Sequence, residues 1–330
     1  MTCTRRDLRD DQITGTTAAV VAIRYAAAMR VISLLPSATE LVCAVGAAAQ
    51  LVGISHECDF PVAIADRPVL TRSRIALGGS SRDIDLAVRA AMLDALSVYA
   101  VDAELLARLA PDVIVTQDLC EVCAVSLDDV RSAVARYAGE RVAIVSLRPT
   151  RLDDVLDDVV RVATALDRRG AGDELRAALQ RRIAEIAARA MARRRPRVAT
   201  IEWLDPIMLG GTWMPELVAL AGGDAVGVTA GAPAPTISPS ELRTLAPDVV
   251  LIKPCGFNLA RCLAERALIE DPLLACVGPA TRVYATDGNA YFNRPGPRLV
   301  ESLEILAACI DPVEFADFAA AHAGALLRLR

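Results

Sequence analysis

Short apolar runs alternate with amphipathic stretches along most of this chain, the rhythm that strands and helices leave in an α/β protein. Arg30-Val31-Ile32-Ser33-Leu34-Leu35, ended by Pro36, reads as a strand buried on both faces. Ser37 and Glu40 have the spacing of a capping box, which predicts a helix that Gly46 can close. Residues 51–55 read as the next strand, with His56-Glu57-Cys58-Asp59-Phe60-Pro61 as its exit turn. Residues 71–81 read as a polar, glycine-rich loop, followed by helices over 85–98 and 102–109. A strand over 112–116 leads into Gln117-Asp118-Leu119-Cys120-Glu121-Val122-Cys123, and a helix from Ser126 and a strand over 142–147 complete the first half.

Residues 151–195 contain no strand-like run. Leu152, Val155, Leu156, Val159 and Ala163 form the stripe of an amphipathic helix, and Gly170-Ala171-Gly172 is expected to break it. Asp173 then caps a second helix, continuous to residue 194, with Leu175, Leu179, Ile183, Ile186 and Ala190 on one face. Arg195-Pro196 ends it, because proline cannot continue the helical ladder. At 1.5 Å per residue this is a rod of roughly 30 Å, a rigid tie between two halves.

The second half repeats the plan. Strands are expected over 197–203, 248–252 and 282–285, and helices from Trp213, over 238–245, and twice after Arg298. Residues 104–115 (ELLARLAPDVIV) echo 241–251 (ELRTLAPDVVL), and Glu40-Leu41-Val42 echoes Glu216-Leu217-Val218. The expected organisation is a tail over 1–28, an α/β lobe over 29–150, a helical connector over 151–195 and a second α/β lobe over 196–330. Open parallel sheets bind ligands at the carboxyl ends of their strands, so a cleft between the lobes is the expected site.

Composition sharpens this picture at a few points. Aromatics make up only 4% of 330 residues while apolar residues reach 54%, so the cores must be aliphatic. A net charge of −5, with no basic block outside the arginine-rich helix, argues against nucleic acid. Lys253 is the only lysine, read first as codon bias. No run reaches the ~18 apolar residues of a membrane span. Thr4-Arg5-Arg6 and Ala26-Ala27-Ala28 faintly resemble a twin-arginine signal and its cleavage site, but Asp7, Asp10, Asp11 and Arg24 oppose it. Nine cysteines, an odd number with one Cys-x-x-Cys, suit a reducing compartment. The expectation is a cytoplasmic protein, with export as the alternative.

Polar residues gather at the predicted strand ends: His56, Glu57 and Cys58; Gln117, Cys120, Glu121 and Cys123; Glu202 and Trp203; Cys255; and residues 289–294. Each alone is as readily a satisfied turn residue or a buried thiol. Cys120 and Cys123 admit three readings: a redox pair at a helix start, half of a thiolate metal site with His56, Cys58 or Cys255, or structural sulfur. The remaining cysteines read as packing and His322 as a surface residue. Gly78-Gly79-Ser80-Ser81 lacks the lysine spacing of a phosphate loop, and two histidines without a nucleophile elbow assemble no Ser-His-acid set.

Residues 31–41 (VISLLPSATEL), 51–55 (LVGIS) and 109–115 (LAPDVIV) resemble the vitamin B12/iron-siderophore substrate-binding proteins of ABC importers, most of all their cobalamin-binding branch. The resemblance runs from residue 29 to about 310 and includes 291–298 (YFNRPGPR), similar to that branch's terminal motif. It implies the type III periplasmic-binding-protein fold: two Rossmann-like lobes with parallel sheets, a rigid helix between them, and a ligand held with little closure. It implies no catalysis, and one surface glutamate per lobe, Glu104 and Glu241, docking on a membrane permease. Cleft aromatics of the branch are replaced here by Glu57, Arg72 and Gln117. Trp203 carries over, with Trp213 and Tyr291 as further candidates. The candidate ligand-binding set is Ser37, His56, Glu57, Cys58, Gln117, Cys120, Trp203, Trp213, Cys255, Tyr291 and Arg294, for a corrinoid such as cobalamin or another metal-bearing compound. Alternatives are a bare transition metal on His56, Cys58, Cys120, Cys123 and Cys255, with Cys255 on the opposite wall, or a cytosolic redox or metal-dependent enzyme using Cys120 and Cys123.

Overall fold

Strands that are apolar on both faces belong in the middle of sheets covered by helices. The computed structural model describes residues 29–76, 78–93, 98–118, 126–137, 142–191 and 194–330, and it places them so. Val31–Ser33 (β1) and Val113–Gln117 (β5) are fully buried at the centre of the first sheet. Leu51–Gly53 (β2) and Ala143–Leu147 (β6) flank them in the order β2-β1-β5-β6, all parallel. Helices Pro36–Ala44 (α1), Ser81–Leu93 (α2), Ala103–Leu109 (α3) and Leu127–Tyr137 (α4) complete this lobe. The stretch expected to be a loop contains Thr71–Ser73 (β3), paired antiparallel with Tyr99–Val101 (β4). Neither three-residue strand was legible, being too short to show an alternation.

The two connector helices are Leu152–Ala165 (α5) and Arg169–Ala190 (α6). The break falls at Leu166–Arg168, where Asp167 takes a positive φ of 57°, and not at Gly170–Gly172. Gly172 lies inside α6, and a Cβ there would stand 2.4 Å from the Ala163 Cβ. The glycine is a close-packing device that lets α5 and α6 touch. The rod also ends at Ala190, short of residue 194.

In the second lobe Arg197–Trp203 (β7), Met208–Leu209 (β8), Asp224–Ala225 (β9), Val249–Ile252 (β10), Arg282–Thr286 (β11) and Leu326–Arg328 (β12) form one sheet. Its order is β12-β11-β10-β7-β8, with β9 also on β7; β12 and β8 are antiparallel edges. Its helices are Met214–Leu220 (α7), Pro239–Leu245 (α8), Leu259–Ala264 (α9), Arg266–Leu268 (α10), Leu299–Ile310 (α11) and Ala316–Ala321 (α12).

The internal echo is visible atom by atom. Asp102 and Ser238 cap α3 and α8 with their side chains, and Ala110 and Ala246 leave those helices with φ of 41° and 42°. The proline that follows each alanine disfavours a further helical residue. Asp112 accepts the backbone N–H of Arg30, just before β1, and Asp248 that of Arg197, which opens β7, each at 2.8 Å. Those arginines donate Nε–H to the carbonyls of Leu109 and Leu245.

One core runs through both lobes. Leu41, Val155, Val159, Leu179, Ile186, Val198, Leu217 and Leu303 belong to a single buried cluster, so the connector is core-forming rather than a tether. Each such side chain contributes about 1.5–3 kcal/mol on burial. A second cluster fills the other face of the second sheet and includes Ile84 of α2, with Val88 packed on it. A helix of the first lobe is thereby seated on the second.

Candidate functional site between the lobes

Loops beyond the carboxyl ends of strands in the two sheets meet. Arg294, 7% exposed, reaches from the loop after β11 to the loop after β2. Its Nη1 donates to Asp59 Oδ1 at 2.5 Å and Glu40 Oε1 at 3.3 Å; its Nη2 donates to Asp59 Oδ2 at 3.0 Å and the Glu57 carbonyl at 3.4 Å. Arg298 holds both oxygens of Glu40, at 2.9 and 2.5 Å, and its guanidinium covers the Phe60 ring at 4.2 Å. Asn289 donates to Asp59 Oδ2 at 2.9 Å. Burial pushes the Asp59 carboxyl up, but the Arg294 and Asn289 hydrogen bonds and the arginine charges outweigh it and hold the acid below its ordinary range.

A second set of contacts spans the lobes around α2. Trp203 Nε1 donates to the Ser81 carbonyl at 3.1 Å, Arg261 to the Gly79 carbonyl at 2.5 Å, and Ser81 Oγ to Glu265 at 3.2 Å. Arg82 and Asp205 approach to 3.5 Å.

His56 is exposed at the first lobe's edge, its ring 5.2 Å from that of Tyr99. Thr71 donates its hydroxyl hydrogen to Ser55 Oγ, so the 2.6 Å contact with His56 Nδ1 is donated by the ring. The neutral imidazole therefore presents its lone pair on Nε2. Partial burial lowers its pKa, opposed by the charge of Glu57. Glu57 itself accepts the Tyr99 hydroxyl at 2.8 Å.

On the facing lobe Lys253, completely buried, donates to Glu202 Oε2 at 2.9 Å and to Asn293 Oδ1 at 2.7 Å. Asn293 in turn donates to the carbonyls of Lys253 and Gly288. The lysine thus joins the ends of β7 and β10 to the loop that carries Arg294.

A profile described as periplasmic binding protein matches residues 31–287. The chain belongs to the periplasmic binding protein family. Members are substrate-binding components of ABC transporters, so the protein binds a small ligand, works with a permease and is not an enzyme. Among similar solved structures, the heme-binding protein RhuT of Roseiflexus sp. RS-1, in apo form, is 22% identical. That match covers 89% of this chain and all of RhuT at a TM-score of 0.63. The vitamin B12 binding protein BtuF of Vibrio cholerae is 18% identical over 86% of this chain and 96% of its own, at 0.62. A periplasmic heme-binding protein of Pseudomonas aeruginosa is 20% identical over 86% and 93%, at 0.64. At these identities the likeness shows the fold alone: two α/β lobes of the type III class. No curated protein matches the chain.

Family membership overturns the expected cytoplasmic location: these proteins are exported and act in the periplasm. The cysteine argument misled because the described thiols are free and several are inert. Burial pushes Cys43 and Cys58 up to about 11 and Cys262 up to about 12, so none of these three is a thiolate at neutral pH in any compartment. Among the described residues, no helix is long and apolar enough to cross a membrane.

The periplasmic binding protein fold brings some candidates together and disperses others. His56, Glu57, Trp203 and Arg294 stand at the inter-lobe edge. Tyr291 is partly exposed behind it, with Arg298 5.6 Å from its ring. Trp213 leaves the set: it is 6% exposed in the core and donates Nε1–H to the Phe292 carbonyl. Ser37 is 1% exposed with an unpartnered hydroxyl, and its helix starts at Pro36 without a side-chain cap. The expected Ser37–Glu40 capping box is absent because Glu40 turns to Arg294 and Arg298 instead. The box forms at Ser238 and Glu241.

Gln117 is buried at the end of β5. Cys58 is hydrogen-bonded to Thr39 at 3.0 Å, and Cys255 is partly buried. Among the described residues no three His, Cys, Asp or Glu side chains converge on a metal position. Cys120 and Cys123 lie outside the described residues.

His322 is not a surface residue: its side chain is 11% exposed and meets Glu304 at 2.8 Å. Glu104 and Glu241 are both exposed in first helical turns, but the matched caps put Glu241 opposite Leu105, one residue from Glu104. Sequence reasoning saw Glu40 only as a helix cap, Asp59 only as a turn residue and Asn293 only within the polar stretch 289–294, and it left Arg298 and Lys253 out of the candidate site. The solitary lysine was the one available signal among them.

Proposed function

We propose that the protein holds a corrinoid, cobalamin or a close relative, between its lobes and presents it to an ABC permease. The observation that carries this reading is the latch of buried Glu40 and exposed Asp59 with Arg294 and Arg298. It joins the lobes beside the cleft and supplements a connector that already shares one core with both. Lobe spacing is therefore set before the ligand arrives, which suits a rigid macrocycle entering a preset slot. The latch also neutralises the two arginines, which leaves them poorly suited to the propionates of a heme. The named vitamin B12 and heme proteins of this fold support a tetrapyrrole-like cargo.

Within the slot, His56 Nε2, Glu57 and Trp203 are the foremost contacts, with Tyr291 beside them. Glu104 and Glu241 are the docking residues for the permease. The direct test is calorimetric titration of the purified protein with cyanocobalamin and, separately, hemin. Micromolar or tighter binding of cyanocobalamin, with hemin weaker, is the expected result; the reverse order refutes the corrinoid reading.

A further inference from the structure

The chain carries 36 lysines and arginines, and only Lys253 is lysine. That one lysine is completely buried, at the carboxyl end of β10. Glycines let the chain approach it closely: a Cβ on Gly210 would stand 3.1 Å from Lys253 Cε, and a Cβ on Gly288 would stand 2.6 Å from the Lys253 backbone carbonyl carbon. The group placed there is a compact ammonium, a point charge with three donors. Among the described residues its two acceptors are Glu202 Oε2 and Asn293 Oδ1. The one lysine of an arginine-rich chain is thus a fully buried cation at this strand end.

The ammonium acts on Glu202. That side chain is 26% exposed, next to Trp203, whose indole crosses to Ser81 of the other lobe. Oε2 is tied to Lys253, while Oε1 makes no hydrogen bond among the described residues. A carboxylate pinned by one oxygen has its other oxygen fixed in direction, and that oxygen can only accept. We infer that Glu202, oriented by Lys253, is a ligand-recognition residue whose Oε1 accepts an N–H from a primary carboxamide on the ligand. This rests on the corrinoid reading and deepens it: a corrinoid's rim carries neutral primary amides, whereas a heme's rim carries carboxylates, which Glu202 repels. Lys253 is the positioning residue and does not touch the ligand.

The arrangement makes an unusual demand on the variant Glu202→Gln. An ammonium only donates, so Lys253 draws the glutamine carbonyl toward itself and turns the amide NH2 to the ligand. The recognising atom changes from acceptor to donor. Cyanocobalamin and each of its separable monocarboxylic acids, in which one rim amide is hydrolysed, are the probes, titrated into wild type and variant. Wild type is expected to favour cyanocobalamin over at least one acid isomer by about tenfold or more, and Glu202→Gln to reverse the preference for that same isomer.

Glu202→Asp keeps the charge but draws it back by one methylene. It should weaken cyanocobalamin binding without reversing the preference, which separates recognition from a general loss of fold. Near-ultraviolet circular dichroism checks that both variants are folded. If wild type binds cyanocobalamin but discriminates against no isomer, or if Glu202→Gln leaves the isomer ratios unchanged, the inference fails and the corrinoid reading stands. If wild type does not bind cyanocobalamin, both fall.

Discussion

Asp158 sits on α5 at 2% exposure, facing a shared core, and is the least comfortable carboxylate described in the protein. Arg161 reaches its Oδ1 at 3.2 Å, while Oδ2 is buried with no partner. Burial pushes its pKa from 3.8 up to about 7; Arg161 pulls it down, and Asp154 and Asp157 add to the rise. The folded state therefore binds the proton more tightly than the unfolded chain. Stability from this group is fully present below the unfolded pKa and is lost as pH rises through the folded one. A displacement of about three units corresponds to on the order of 4 kcal/mol at pH well above 7.

The substitution Asp158→Asn removes the titration and keeps the shape. Part of the gain is offset by the orphan position, since an unpaired amide there costs about 1–3 kcal/mol. The diagnostic is consequently the slope and not the absolute stability. Between about pH 5 and about pH 6.5 the wild type should lose about 2 kcal/mol relative to the variant, at ~1.4 kcal/mol per pH unit. Urea unfolding followed by Trp203 and Trp213 fluorescence gives the midpoints directly, and one core across both lobes favours a single transition. If the two midpoint curves run parallel over that range, Asp158 is ionised without penalty and the reasoning is refuted.

Three further outcomes follow from the geometry. Arg294→Met leaves Glu40 buried beside Arg298 alone and should cost about 3 kcal/mol near neutral pH in urea unfolding. Because Asp59 has a depressed pKa, its share is complete above the unfolded value and disappears as pH falls through the folded one, so the cost should shrink below about pH 4. Gly172→Val forces a Cβ onto Ala163 and should lower stability by about 1–3 kcal/mol or more, with Ala163→Gly restoring part of it in the double variant; full stability in the single variant would contradict the close-packing role. Glu104→Ala with Glu241→Ala should leave cyanocobalamin affinity unchanged in titration while reducing uptake through the reconstituted permease at least about tenfold, and unchanged uptake would remove the docking role.

The chain's order of elements was written in its apolar runs. β1, β5 and β10 are built on short apolar runs (VI, VIV and VVLI) because both their faces are covered, and such runs are readable without a structure. The repeated Leu-Ala-Pro-Asp segments likewise announced two related lobes, since proline and aspartate act on their immediate neighbours. Where the partner lies far along the chain, the sequence is silent. Gly172 looked like a breaker because its neighbour Ala163 belongs to the preceding helix, and Ser37–Glu40 looked like a capping box because the arginines claiming Glu40 lie more than 250 residues away. Trp213 and Trp203 carry the same letter, yet tertiary packing buries one in the core and leaves the other at the cleft edge. Lys253 shows the division most sharply. Its rarity was visible in the composition, but its meaning depends on Glu202 and Asn293 meeting around one ammonium, a convergence that exists only once the sheet is folded.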